Sequence, residues 1–286
     1  METNFMKTFL VFCMLVALIS LQGFCFLPSN FVLDTREKVD VPILMYHQVQ
    51  NEKKGMYSIT PQQLEADLML LKNAGFQTVF PSEIISFVES GTKLPERPIL
   101  LSFDDGHYST LAFALPLLKK YNAKAVVNVI GAFSEFSTTS GDDSKIEYSH
   151  LTWGQIKILE ESGHFEIGAH TYNMHKYKER FGISKLKDET VKEYEKNLTK
   201  DTNRLEEKLL LAGVSKPQVY AYPFGEYNDE AEKILSNLGY KLFLTCNEGI
   251  STVAKGDKNS LYTMKRFNRS SNSSVFDILT KNNIII

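Results

Sequence analysis

Cysteine is almost absent from this chain. Among 286 residues there are three, Cys13, Cys25 and Cys246. The first two lie in or beside one apolar N-terminal run, so the body of the protein carries a single thiol and has no internal disulfide available. A cysteine-ligated metal is excluded with it, and any metal must be held by histidine and carboxylate. Excess charge is missing as well: the formal net charge is −2 and the isoelectric point is near 6.3. With no basic stripe, nucleic acid binding by counterion release is set aside. There is no internal repeat and no low-complexity tract. The fold must therefore rest on an ordinary apolar core, for which 43% hydrophobic residues and a body of roughly 250 residues suffice.

One long apolar run does exist. Residues 9–27 are interrupted only by Ser20, Gln22 and Gly23, and Lys7 precedes them. The run predicts a signal peptide or membrane anchor over residues 1–27, hence an extracellular or cell-surface location. Its length approaches a bilayer span and no Ala-x-Ala cleavage site follows, which favours a retained anchor. Cys25 follows Phe24 rather than the small residue expected before a lipid-modified cysteine. Residues 28–40 read as a short polar tether, and the folded domain is expected over 41–286.

Beyond residue 40 helix and strand signals alternate. Thr60-Pro61 offers an N-cap followed by proline at the first helical position, Leu64, Leu68 and Leu71 form an apolar stripe, and Gly75 is a stop. Short apolar runs read as strands at 41–46, 76–80, 98–103, 123–130, 164–169, 218–222 and 241–245, with helical patterns between most of them. The alternation predicts an α/β fold with mainly parallel strands. A charged helix is expected over about 188–212, with Val191, Tyr194, Leu198, Leu205 and Leu209 on its apolar stripe and a solvated outer face of mixed sign. Residues 137–144, rich in Ser, Thr, Gly and Asp, read as a long loop.

Four clusters carry possible chemistry. Ser102-Phe103-Asp104-Asp105-Gly106 places adjacent carboxylates at the end of a strand. If one binds a metal, the other is free to act as a general base on water, although Asp-Asp-Gly is also an ordinary turn. His170 and His175 follow another strand, five residues apart. On a helix they would point about 140° apart, so they converge only from a loop; the alternative is a strand cap and a solvated side chain. One carboxylate and two imidazoles would suit Zn²⁺ or a similar divalent ion. Tyr222-Pro223-Phe224-Gly225 follows a third strand, where the Phe224 N–H can face an oxyanion or simply belong to a turn. His47 ends the first strand and has the titration range of a proton donor, though a lone histidine there is usually structural.

In combination and in this order, the four clusters resemble the polysaccharide deacetylase family, the carbohydrate esterases with a NodB-type domain. Ser-Phe-Asp-Asp-Gly is similar to the family's Thr-Phe-Asp-Asp-Gly, and His170 with His175 is similar to its histidine motif in the longer-spaced form. Leu151-Thr152-Trp153 and Glu166-Ile167-Gly168-Ala169-His170 extend the likeness over most of residues 41–268. Met45-Tyr46-His47 and Tyr222-Pro223-Phe224-Gly225-Glu226-Tyr227-Asn228 point to the branch containing deacetylases of poly-β-1,6-N-acetylglucosamine, the biofilm polysaccharide. The resemblance implies a distorted (β/α) barrel of the polysaccharide deacetylase type. It also implies a hydrolase of linear amides that uses a divalent metal, Zn²⁺ or else Co²⁺ or Ni²⁺. Asp104 would be the general base, Asp105, His170 and His175 the metal ligands, and Phe224 the backbone oxyanion donor. His47 would be the general acid, a role held in many members by a histidine near the C-terminus, whereas nothing after Arg266 offers one here. The family's arginine before the Pro-aromatic-Gly motif is replaced by Tyr220-Ala221-Tyr222, which leaves Arg266 or Arg269 to orient Asp104 from elsewhere.

The implied partner is an extracellular acetylated polysaccharide, met by a monomer held to the membrane through its N-terminal segment. Peptidoglycan, chitooligosaccharide or acetylxylan deacetylation by the same fold is an alternative, as is a carbohydrate-binding protein without catalysis. Trp153 is either a sugar platform or a buried residue at a helix start.

Overall fold

Each apolar run becomes a strand because it is short, rich in aliphatic residues and bounded by turn residues. The computed structural model describes residues 34–52 and 55–285. In chain order the first elements are β1 (Lys38–Val41), β2 (Ile43–Tyr46), β3 (Gln48–Val49), β4 (Ser58–Ile59), α1 (Pro61–Asn73), β5 (Gln77–Thr78) and α2 (Pro81–Ser90). Then come β6 (Pro98–Phe103), α3 (Leu115–Tyr121), β7 (Ala125–Val129), α4 (Gly131–Ser140), α5 (Trp153–Glu161) and β8 (Phe165–Ala169). The chain continues through α6 (Val191–Leu211), β9 (Val219–Ala221), α7 (Asp229–Asn237), β10 (Leu242–Leu244), β11 (Ser251–Ala254), β12 (Phe267–Asn268) and α8 (Val275–Lys281).

The central sheet runs β10-β9-β8-β7-β6-β2-β12, with β5 paired to the start of β6. Every pairing in it is parallel. The sheet curls into a half-barrel. Its two ends are linked by residues 264–268: Met264 donates to Phe243 O and accepts from Thr245 N, while Phe267 and Asn268 pair with Leu44 and Met45.

Alternation along the strands sorts the side chains into two faces. Leu101 and Phe103 of β6 and Val127 and Val129 of β7 join the cluster packed under the helices, with Leu64 and Leu68 of α1 and Leu198 and Leu205 of α6. Leu100, Val126, Val219 and Leu242 belong to a second cluster that fills the curl, together with Val39 and Val41 of β1 and Ile84 and Phe87 of α2. The inner positions nearest the carboxyl ends are instead small or polar, Ser102 and Asn128, both buried, and Gly168. The half-barrel thus has an apolar base and a polar top.

Three expectations are corrected. Part of the segment read as a tether belongs to the fold: β1 pairs antiparallel with β11, and buried Asp34 accepts from Leu94 N and from Arg36. The loop expected at 137–144 begins as helix, since α4 runs to Ser140 and ends at Gly141 in the left-handed region, φ 71°. The Thr138 and Thr139 hydroxyls donate back to carbonyls four residues earlier, which absorbs polar groups that suggested a loop. Val191, placed on the buried stripe of α6, is exposed because it occupies the first helical position after the Thr190 cap. The signal or anchor segment expected at 1–27 lies outside the described residues, among which no helix is long and apolar enough to cross a membrane.

A buried ion pair ties the C-terminal segment to α1. Arg269 Nε donates to Asp67 Oδ2 at 2.7 Å and Nη2 to Asp67 Oδ1 at 3.2 Å. Burial pushes the Asp67 carboxyl up despite this partner, so the pair serves position more than net stability. Asp67→Ala, which strands the guanidinium, is expected to lower the unfolding free energy by about 3–5 kcal/mol, measured by denaturant titration.

Candidate active site

The carboxyl ends of the parallel strands deliver the candidate residues to one edge. His47 follows β2, Asp104 and Asp105 follow β6, His170 follows β8 and Phe224 lies just past β9. They line a cleft of about 600 Å³ together with His175, His107, Tyr57, Tyr177 and Cys246. A second cavity of about 490 Å³, among Leu68, Phe76, Tyr121 and Lys124, lies by the amino-terminal ends of β5 and β7, away from this titratable cluster.

Asp105 is turned out of line with its neighbour by backbone geometry. It adopts φ 70°, and Gly106 follows at φ 68° with Val129 only 3.2 Å from where a Cβ would sit. The side chain then reaches the imidazoles: Oδ1 is 3.5 Å from His170 Nε2 and 3.6 Å from His175 Nε2. His170 Nδ1 lies 2.7 Å from the Ala221 carbonyl, which can only accept, so Nδ1 donates and Nε2 faces the Asp105 carboxylate. The loop bearing both histidines is shaped from α6, where the Asp201 carboxylate accepts from Tyr172 N at 2.7 Å and Asn173 N at 2.8 Å.

These residues fit a divalent cation. One ligand atom from each of Asp105, His170 and His175 lies within 4.8 Å of the others. Burial, then His170, pushes His175 down to about 4, so it rests as the neutral imidazole a metal requires. Burial alone would raise Asp105, but His107 and the other imidazoles outweigh it and hold the carboxylate ionised. A carboxylate and two imidazoles suit zinc-like ions and leave positions open.

Asp104 stays buried, 2% exposed, and is held from three sides. Arg266 Nη1 donates to its Oδ1 at 2.8 Å, Asn128 Nδ2 at 2.7 Å and Ser102 Oγ at 3.4 Å. All three bonds reach Oδ1, which leaves Oδ2 as the oxygen able to take a proton. Burial works to raise Asp104, yet Arg266, then His170 and His47, keep it well below the usual carboxylate range. The guanidinium is itself fixed, with Nε donating to Thr245 O at 2.7 Å and Nη1 to Ser102 Oγ at 3.0 Å. Of the two arginines considered for the task, Arg266 is the one that holds Asp104, while Arg269 is committed to Asp67. Gly168 has a matching role, since a Cβ there would collide with the Asn128 side-chain carbonyl.

His47 faces the same cleft, its ring 4.9 Å from that of Tyr57. Burial lowers its basicity, and the nearby Asp105 and Asp104 carboxylates offset this only in part. Phe224 adopts φ 59°, an unusual value for a residue with a side chain, and its ring lies 4.3 Å from His175. Gly225 allows this turn, because a Cβ there would come within 2.8 Å of the Cys246 backbone. Trp153 is buried at the start of α5 with Nε1 donating to Glu135 Oε2 at 2.7 Å, so it is no sugar platform.

Two residues escaped the sequence reading. His107 Nε2 lies 3.5 Å from Asp105 Oδ2, and the His150 ring stacks on it at 4.7 Å. A backbone bridge between them creates this pair, and the only sequence signal was the number of histidines: of six, His164 alone stands apart from the cleft group.

A family model described as polysaccharide deacetylase matches residues 91–243, more than half of the chain. The poly-β-1,6-N-acetyl-D-glucosamine N-deacetylase of Escherichia coli (strain K12) is 26% identical over 234 residues, 75% of this chain and 35% of that protein. The enzyme of the same name from Staphylococcus aureus (strain MRSA252) is 25% identical over 202 residues, 70% of this chain and 65% of that one. The chain thus spans about a third of the length of the first relative and just under two thirds of the second. Among solved structures, the Streptococcus pyogenes deacetylase PplD in complex with acetate superposes with a TM-score of 0.67 at 26% identity, over 85% of this chain and 98% of that one. IcaB from Ammonifex degensii gives 0.67 at 25% identity, over 82% and 93%. With the family model matching more than half of its length, this chain belongs to the polysaccharide deacetylase family.

Proposed function

We propose that this protein is a metal-dependent hydrolase that removes N-acetyl groups from an extracellular polysaccharide, with poly-β-1,6-N-acetylglucosamine as the substrate. It works as a monomer at the cell surface, held there by residues 1–27. The observation that carries this reading is the pairing of two unlike aspartates at one cleft: Asp105 grouped with His170 and His175, and Asp104 held by Arg266 with one oxygen free. The substrate rests on the names of the curated relatives.

Asp105, His170 and His175 would hold the cation, Zn²⁺ in this reading or else Co²⁺ or Ni²⁺, which supplies polarisation of the acetamide carbonyl and acidification of water. Asp104 Oδ2 takes the proton of the attacking water. Arg266 and Asn128 occupy Oδ1, so the carboxylate cannot rotate away from that task. The Phe224 N–H donates to the oxyanion that forms, and the His47 imidazolium protonates the departing amine. The surrounding protein keeps these groups in place before substrate arrives, so little reorganisation is needed during the reaction.

Asp104→Asn is expected to cut turnover by about 10³-fold while the protein still binds zinc, and His170→Ala to lose the zinc itself, with metal content and acetate release measured on the same samples. Full activity in either variant contradicts the assigned roles. Arg266→Ala is expected to lower kcat by roughly 10²-fold and stability by about 3–5 kcal/mol, because Asp104 is left charged, buried and loosely placed. Arg266→Lys should recover part of the stability and less of the kcat, since an ammonium lacks the guanidinium fork. Dialysis against a chelator should abolish acetate release, and added Zn²⁺ should restore it. Acetate release from peptidoglycan, chitooligosaccharides or acetylxylan in preference to poly-β-1,6-N-acetylglucosamine would reassign the substrate, and release from none would leave a binding protein.

A further inference from the structure

Asp104 is held by Arg266, Asn128 and Ser102, whereas three imidazoles surround Asp105. The three divide between its two oxygens. His170 and His175 face Oδ1, at 3.5 and 3.6 Å, and His107 Nε2 faces Oδ2 at 3.5 Å. His107 also stands outside the ligand group: among the described residues, only Asp105, His170 and His175 bring ligand atoms within 4.8 Å of one another. The proposed chemistry gives His107 no task.

The fold nevertheless fixes that ring. The turn through Asp105 and Gly106 leads directly into a backbone bridge with the segment before α5, in which Leu151 N donates to Gly106 O at 2.8 Å and Tyr108 N to Ser149 O at 2.9 Å. Ser149 is braced in turn, its N–H donating to Lys145 O and its Oγ accepting from Lys145 N. The bridge lays the His150 ring on His107, with centroids 4.7 Å apart and 27° between planes, and Phe133 of α4 packs on His150 at 4.5 Å. Burial, then His107, push His150 down to about 3, so the backing ring is neutral and brings no charge of its own. His107 Nδ1 is buried with no partner among the described residues, which leaves Nε2 as the nitrogen through which the side chain acts.

We propose that His107 is a positioning residue for the proposed metal ligand Asp105: its Nε2 donates to Oδ2 and so presents Oδ1 alone to the cation shared with His170 and His175. An ionised carboxylate oxygen only accepts, so Nε2 is the donor. A carboxylate fixed at one oxygen neither rotates nor closes on the cation with both, which keeps coordination positions open for water and the substrate carbonyl. The device mirrors the one at Asp104, where three donors occupy Oδ1 and free Oδ2. His150 acts one step further out, by holding the ring. This inference rests on the proposed cation site and is independent of which glycan is the substrate.

The test measures Zn²⁺ affinity by chelator competition and the visible spectrum of the Co²⁺-loaded protein, so no substrate enters it. His107→Phe keeps a flat ring against His150 and removes the donor. It is expected to bind Zn²⁺ about 10- to 100-fold more weakly than wild type and to change the Co²⁺ bands. His107→Gln returns an N–H donor and should recover most of the affinity together with the wild-type bands. His150→Phe, which keeps the stack, should leave both unchanged. His107→Leu, paired with His107→Gln, gives the same comparison without asking a bulkier ring to fit, and circular dichroism of the metal-free proteins establishes that each variant is folded. Wild-type affinity in His107→Phe or His107→Leu overturns the proposal. An equal loss in His107→Gln also overturns it, since the ring itself would then belong to the cation. Wild-type protein that binds neither Zn²⁺ nor Co²⁺ refutes the cation site on which the inference rests, a different result from normal binding that the variants leave unchanged.

Discussion

A guanidinium with no access to water must have its charge answered inside the protein, and Arg266, 0% exposed, organises the top of the half-barrel around that requirement. Its partners come from separate elements: Ser102 in β6, Asp104 just after it, Thr245 O at the end of β10 and, at 3.8 Å, the Cys246 thiol. Arg266 lies in the segment that links the two ends of the sheet. Closing the curl and neutralising the buried charge are therefore one structural event. The Asp104 carboxylate is fixed by it together with Asn128, while its backbone N–H is already donated to Tyr46 O at 2.9 Å.

The two aspartates are neighbours in sequence and opposites in environment. Asp104 continues the inward alternation of β6 and meets Arg266 and Asn128. Asp105 turns through a positive φ and meets three imidazoles, His107, His170 and His175. Both stay ionised, but for different reasons, one through a fixed cation and the other through titratable rings. A pair of like groups pushed into distinct surroundings is the condition under which one serves as base and the other as ligand. The small inner residues make this possible. Ser102 and Gly168 leave room where larger side chains would fill the curl, and Asn128 uses that room to reach Asp104.

The cleft also shows how the same loops serve position and access. The turn that carries Phe224 sets its ring against His175, and the ring in turn seats Tyr177 at the surface. The loop between His175 and α6 thus connects a half-buried histidine with an exposed aromatic rim. Such loops can vary in length and side chain without disturbing the sheet beneath them.

By itself the sequence determined the parallel α/β alternation, the dependence of any metal site on histidine and carboxylate, and the loop origin of His170 and His175. Each follows from local spacing or from composition. The asymmetry of Asp104 and Asp105 was legible only as a possibility, since Asp-Asp-Gly suits a turn equally well. Tertiary structure alone decided that Arg266, 162 residues from Asp104, orients it, and that Arg269 turns instead to Asp67. It alone brought His150 onto His107 and carried Tyr177 to the rim of the cleft. The physical reason is that a sequence pattern states the period of an element and the face a residue occupies, whereas the partner of a buried charge depends on which strand ends the curl of the sheet brings together.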